Sequence, residues 1–307
     1  MRKEFKLLDP YESELYTYLW TVEDPKGVVQ IIHGMSEHVG RYDHFAQYLN
    51  SLGLIVIGND HLGHGRTSTD LSCVHFDDNG GFHKVYEGVK TVRDYIDVKY
   101  PDLPVIMFAH SMGSFIGRYA ILYDHERYNQ AIFSGTGWFS TSSIYFGIFV
   151  ANLITLFKGK RHVSPFFNQK LMSGAQNSMI RRGLINRPIE WLTNDKDVQK
   201  EFEESPLCGQ PFTITAQKDL LQFMLDIQDK KKIRASASST PLFFISGEQD
   251  GLGKYGQSIR KLSKLYNHCG YSNVKFKVVD NCRHEIINEL RKKDIFEDLG
   301  DWILRYL

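Results

Sequence analysis

At 307 residues the chain can bury a full core, and one large domain with an insertion suits it better than two equal domains. With 42% hydrophobic and 24% charged residues it reads as a soluble globular protein, and a formal net charge of +1 gives no electrostatic case for a nucleic-acid partner. Met1-Arg2-Lys3-Glu4-Phe5 leads into no apolar leader, no run of about 18 apolar residues appears, and Cys73, Cys208, Cys269 and Cys282 lack metal-binding spacing, so a cytoplasmic protein with reduced thiols and no transmembrane segment is expected.

In chain order, the first segment reads as antiparallel strands. Glu14 to Val22 alternates and is rich in Tyr, Thr and Leu, and Asp24-Pro25-Lys26-Gly27 makes a turn. Val28 to Ile32 is a short apolar strand ending in His33-Gly34. Tyr42 to Leu52 has helical spacing, Leu54 to Gly58 is a buried strand, and Tyr86 to Lys99 is helical. Val105 to Phe108 is a strand leading into a helix from Ser114 to Tyr123, and Ala131 to Ser134 is another strand. From about Gly137 to Ser239 only helix-like segments appear. The rhythm resumes with a strand over Pro241–Ile245, a helix near Tyr255 to His268, a strand over Val274–Val279 and a last helix from about Glu285 to Tyr306. Strands alternating with helices imply a mostly parallel central sheet with right-handed crossovers. The excursion implies an inserted all-helical cap, giving a core of 1–136 and 240–307 around a cap of 137–239.

The sharp turn Ala109-His110-Ser111-Met112-Gly113 joins the Val105 strand to a helix. Small residues two positions either side of Ser111 leave room where strand and helix backbones nearly touch. A serine hydroxyl needs a base to take its proton, and the base needs an acid to hold its tautomer. His284, after the strand ending at Val279, is the candidate base. Asp250, after the strand ending at Ile245, is the candidate acid, with Glu248 its rival two residues earlier. All follow the C-terminal ends of strands, where open α/β sheets place their sites. The backbone N–H groups of Met112 and Met35 are the candidate oxyanion donors.

Taken together, His33-Gly34-Met35-Ser36-Glu37-His38, Asp60-His61-Leu62-Gly63-His64-Gly65-Arg66-Thr67, Ala109–Gly113 and Arg283-His284-Glu285 resemble the monoglyceride lipase and lysophospholipase-like α/β-hydrolases. Glu203 to Gly209 with Pro211-Phe212-Thr213 resembles a segment of the bacterial members' caps. The resemblance implies an α/β-hydrolase fold and a cofactor-free serine hydrolase acting on small-molecule acyl esters of lipid-like alcohols, under a mobile helical lid. Thioesterase, amidase or acyltransferase chemistry on the same residues, or a non-catalytic binding protein, are the alternatives. Two departures stand out: Ala109 replaces the family's usual Gly, and Gly251-Leu252-Gly253 replaces Pro-Val-Gly, which predicts a looser acid loop.

The residues His33, His38, His61 and His64 with Asp60 could suggest a metal, but their Gly-rich surroundings favour loops braced by hydrogen bonds, and no metal is expected. His110 is expected to pack in the elbow. Ile144 to Phe157 is too apolar for a simple surface helix; packing on the domain below is the expected role, with transient contact to a lipid surface as the sharper reading. Lys158, Lys160 and Arg161 after it would suit an anionic interface.

Overall fold

In the computed structural model, which describes residues 1–307 with the side chains of Leu171 and Met172 excepted, the chain opens on a hairpin of β1 (Arg2–Leu8) and β2 (Glu14–Trp20). Strands and helices then alternate through β3 (Gly27–Ile32), α1 (Asp43–Ser51), β4 (Leu54–Asn59), α2 (Gly81–Lys99), β5 (Val105–His110), α3 (Met112–Asp124) and β6 (Gln130–Ser134). Five helices follow: α4 (Thr141–Lys158), α5 (Pro165–Arg181), α6 (Lys196–Glu204), α7 (Ile214–Asp226) and α8 (Lys230–Ala235). Between β6 and β7 the described residues make only isolated bridges, Val74 to Phe212 and Val163 to Thr213. The sheet resumes with β7 (Leu242–Gly247), α9 (Gln257–His268), β8 (Val274–Val279) and α10 (Lys292–Arg305).

The sheet order is β1-β2-β4-β3-β5-β6-β7-β8. β1, β2 and β4 pair antiparallel, and β4 through β8 run parallel. This is the α/β-hydrolase fold, with the mostly parallel sheet that the alternating elements predict. Strands β3 to β7 are buried along their whole length, as near-continuous apolar runs require when helices cover both faces. Side-chain alternation divides the core. Val28, Ile55, Met107 and Phe133 pack with α2, α3 and α9, while Val29, Val56, Ile106 and Phe108 pack with α1 and α10.

Two expectations about helices need correction. The last helix does not run unbroken from Glu285: a 3-10 turn at Ile286–Asn288 precedes α10, and the Glu289 side chain accepts hydrogen bonds from the Arg283 and Asn194 N–H groups. That carboxylate is held back toward the preceding loop at the break. Helix α4 packs through a narrow stripe only. Ile144 and Ala151 are buried, and Gly147 lies so close to α7 that a Cβ there would come 2.9 Å from a Leu221 methyl. Ile148, Val150 and Ile154 are half-buried, and the remaining large apolar side chains are exposed, Phe146 at 68% and Phe157 at 77%. Its 18 residues average a hydropathy of 1.3, so it is long and apolar enough to cross a membrane by length and composition, contrary to the sequence-based expectation. Its packed stripe instead lays it along α7.

Candidate active site

The turn at Ser111 is built by steric demand. Ser111 adopts φ 52°, ψ −120°, a sparsely populated conformation that costs on the order of 1–3 kcal/mol and persists only when surroundings enforce it. The enforcement is visible. Its N–H donates to the Ser134 carbonyl at 2.8 Å, and its own carbonyl accepts from the Ser114 N–H at 2.9 Å and the Ser114 hydroxyl at 2.5 Å. Gly113 is obligatory here, because a Cβ would come 2.1 Å from the Ile32 carbonyl oxygen. Ala109 is accommodated where the helix above carries Gly117; a Cβ at 117 would come 2.8 Å from the Ala109 Cβ.

The loops after β5, β7 and β8 bring three of the predicted side chains together. The Ser111 Oγ lies 2.8 Å from His284 Nε2, and His284 Nδ1 lies 3.1 Å from Asp250 Oδ2. Asp250 is fully buried and His284 nearly so. Burial pushes the Asp250 carboxyl up, but the adjacent His284 imidazole and the N–H groups of Leu252 and Gly253 outweigh it and hold it below the usual value. The Leu252 N–H donates to Oδ1 at 2.9 Å and the Ser246 hydroxyl to Oδ2 at 3.2 Å. These bonds hold the Asp250 side chain in the loop that lacks the family's usual proline. Glu248 faces elsewhere, accepting from the Asn281 N–H.

Met35 and Met112 line the same apolar pocket as Ser111. Met112 opens α3, so its N–H has no partner inside the helix. The Gly34–Met35 peptide is oriented by His33. Nε2 of His33 accepts from the His61 N–H at 2.9 Å, so its proton sits on Nδ1 and donates to the Gly34 carbonyl at 2.8 Å. In a trans peptide the N–H points opposite to the C=O, so this bond turns the Met35 N–H away from the imidazole. The Gly34 N–H in turn donates to Glu37 Oε1 at 2.6 Å.

The remaining histidines brace loops. His33 and His61 stack with ring centroids 4.0 Å apart, and His64 meets His33 edge-on. Burial lowers all three, His61 to about 3 and His64 to about 4, so they are neutral at pH 7. Asp60 accepts from the Val39 and Arg66 N–H groups. The described residues contain no group of three or more His, Cys, Asp or Glu able to hold a metal ion. His110 packs in the elbow with Nδ1 3.2 Å from the Ser134 hydroxyl, its pKa lowered by burial to about 3.

A buried ion cluster was not legible in advance. Arg41 makes a fork to Glu285 at 2.8 and 2.7 Å and reaches Glu37 at 2.7 Å, while the Tyr42 hydroxyl donates to Glu37 at 2.8 Å. It ties the Gly34 loop to the residue after His284. The available signals were Glu37 and Arg41 at helical spacing and Glu285 beside the candidate base. Trp191 was also missed: its ring stacks on His284 with centroids 4.4 Å apart and 27° between planes.

One cavity touches the Ser111 hydroxyl, and a second shares the Met35 wall with it. The first, of about 30 Å³, is walled by Met35, Phe115, Phe139, Leu220, Met224 and Leu252. The second, of about 560 Å³, lies between α5 and the segment before α6, with Met35, Gln176, Arg187, Trp191 and Glu203 among its walls.

Comparison with known proteins agrees with this architecture. The family described as serine aminopeptidase, S33, matches residues 23–291. A monoacylglycerol lipase of Mycolicibacterium smegmatis is 26% identical over 94% of this chain and 92% of its own length. Phospholipase YtpA of Bacillus subtilis is 25% identical over 91% of this chain and 96% of its own. A thermostable carboxyl esterase of Bacillus coagulans, solved with glycerol, superposes with a TM-score of 0.90 at 27% identity, covering 99% of this chain and 98% of that one.

Proposed function

The chain belongs to the serine aminopeptidase S33 family of α/β-hydrolases, and from that premise we propose that it is a carboxylic ester hydrolase whose nucleophile is Ser111, with monoacylglycerols or lysophospholipids as its substrate class. The carrying observation is the relay from Ser111 Oγ through His284 to buried Asp250 beside an apolar pocket. His284 takes the Ser111 proton as Oγ attacks the ester carbonyl, and Asp250 stabilises the imidazolium. The Met35 and Met112 N–H groups receive the developing oxyanion. His284 then gives its proton to the leaving alcohol, and water releases the acid by the same steps. The pocket beside Ser111 is lined by no carboxylate among the described residues, which favours an acyl chain over the charged amino terminus of a peptide.

The leaving oxygen must come within reach of His284 Nε2, so the alcohol portion extends toward the larger cavity that Trp191 shares. The acyl chain takes the apolar side. A cavity of about 30 Å³ admits no long chain as it stands, so Leu220 and Met224 of α7 must move with α4. This is the basis for assigning the helical insertion, 137–239, as a cap over a core of 1–136 and 240–307. The exposed aromatic and leucine side chains of α4 suit transient insertion into a lipid surface. Of the basic residues behind it, Arg161 pairs with Asp78 and Lys160 donates to Asn79, both at the exposed surface.

Fatty-acid release from dispersed monoacylglycerols and lysophospholipids of several chain lengths tests the substrate class; release from neither overturns it. Replacing Phe146, Phe149 and Phe157 together by Ser is expected to lower activity on the dispersed lipid at least tenfold. Turnover of soluble 4-nitrophenyl butyrate stays within twofold, and equal losses on both would contradict the lipid-surface role. His33→Ala frees the Gly34 carbonyl and is expected to lower kcat by up to about 10²-fold, approaching the loss of one oxyanion donor. An unchanged kcat in steady-state assays would show that the peptide is oriented without His33.

A further inference from the structure

Trp191 belongs to the helical insertion, yet it lies flat against the imidazole of His284. The same imidazole also meets the His110 ring, tilted, at 4.9 Å and 51°. The segment carrying Trp191 is strapped to the loop carrying His284. The Arg283 guanidinium donates to the carbonyls of Leu184, Glu190 and Thr193 at 2.7, 2.7 and 3.1 Å. The Glu285 N–H donates to the Leu192 carbonyl at 2.7 Å, and the Thr193 hydroxyl donates to the Asn288 carbonyl at 2.9 Å. Five hydrogen bonds thus join Leu184, Glu190, Leu192 and Thr193 to Arg283, Glu285 and Asn288, on either side of the indole and the imidazole it covers.

We propose that Trp191 is a positioning residue for His284, by which this strap of the insertion holds the base in line between Ser111 and Asp250. The stack acts in two ways. It fills the face on which the imidazole could rotate out of its two hydrogen bonds, and misplacement by about 1 Å is enough to lose on the order of 10² in rate. It also presents an aromatic face to the ring at the moment the Ser111 proton arrives on Nε2, when a cation forms. Burial keeps the neighbouring His110 ring neutral at pH 7, so it adds no like charge beside that cation. The part of the insertion that must move for acyl entry is then α4 and α7, while Leu184–Asn194 stays docked.

The inference rests on Ser111 being the nucleophile and His284 its base, so Ser111→Ala is run alongside: if that variant still turns over, the underlying reading has failed rather than this one. Trp191→Ala is expected to lower kcat about tenfold or more with KM within twofold, and to slow fluorophosphonate labelling of Ser111 by the same factor. The loss is the same for acetate esters of 4-nitrophenol and of glycerol. Trp191→Phe, which keeps a flat ring, recovers most of the rate. In wild-type protein the hydrogen-bonded Nδ1–H proton of His284 gives a resolved NMR signal, which broadens or vanishes in Trp191→Ala while the fold, read by near-ultraviolet circular dichroism, is kept. A rise in KM that grows with alcohol size at constant kcat would mean that Trp191 only walls the alcohol cavity. Equal damage in the Phe and Ala variants, with the His284 signal intact, would equally overturn the proposal.

Discussion

Asp250→Asn is expected to lower kcat by about 10⁴-fold while leaving the fold intact, because an amide of the same shape favours the wrong imidazole tautomer and cannot balance the imidazolium. Its oxygens also accept from the Ser246 hydroxyl and the Leu252 N–H, so a thermal-unfolding scan of the variant separates loosening of that loop from loss of the base's partner. Glu248→Gln serves as the control. Glu248 is two residues away and was the sequence's rival acid, but it bonds the Asn281 N–H, so its variant should turn over within twofold of wild type. Steady-state hydrolysis of a 4-nitrophenyl ester separates the two. A large loss in Glu248→Gln with little in Asp250→Asn would reverse the assignment.

Arg41→Met is expected to destabilise the protein by about 3–5 kcal/mol, because it leaves two buried carboxyl groups without their cation. In a chain of this size that corresponds to a fall in Tm of roughly 10 °C. The three side chains are almost wholly buried, so solvent screens the pair little. Burial pushes both carboxyls up, but the Arg41 fork more than reverses this for Glu285, which falls to about 2. Glu37 receives a single bond from Arg41 and faces the charge of Glu285, and it stays raised. The sign for Glu285 follows from its depressed value. Its contribution is fully present above the ordinary 4.5 and is lost as pH falls from there toward about 2. The stability gap between wild type and Arg41→Met should therefore narrow below pH 4.5 in thermal scans, and a gap that widens on acidification would contradict the cluster's role. Because the cluster joins the Gly34 loop to the His284 loop, folded Arg41→Met should also lose rate.

What could be read from the sequence was local or strictly periodic. The elbow is a five-residue pattern whose strand, turn and helix are contiguous, and β3 to β7 announce themselves as apolar runs buried on both faces. Asp250 follows such a run. His284 instead follows β8, where Lys275 and Lys277 interrupt the apolar residues and the strand is only partly buried, so its place after the last strand is what pointed to it. Arg41 and Glu285 are 244 residues apart, and nothing in either neighbourhood shows that they meet. Trp191 sits in an insertion without a recognisable motif, where only three-dimensional docking reveals its neighbour. Helix α4 is apolar nearly all round, so its pattern could not tell the stripe at Ile144 and Ala151 from the exposed aromatic side. The break before α10 is set by side-chain bonds of Glu289 to distant backbone, a tertiary effect that overrides helical spacing.

Labelling with a fluorophosphonate probe, followed by mass spectrometry of the digested protein, tests the central claim most directly. The account predicts one adduct on the peptide carrying Ser111, formed alongside loss of ester turnover and absent from a folded Ser111→Ala variant. A folded wild-type protein that takes up no probe and hydrolyses no ester, or an adduct on another residue, would contradict it.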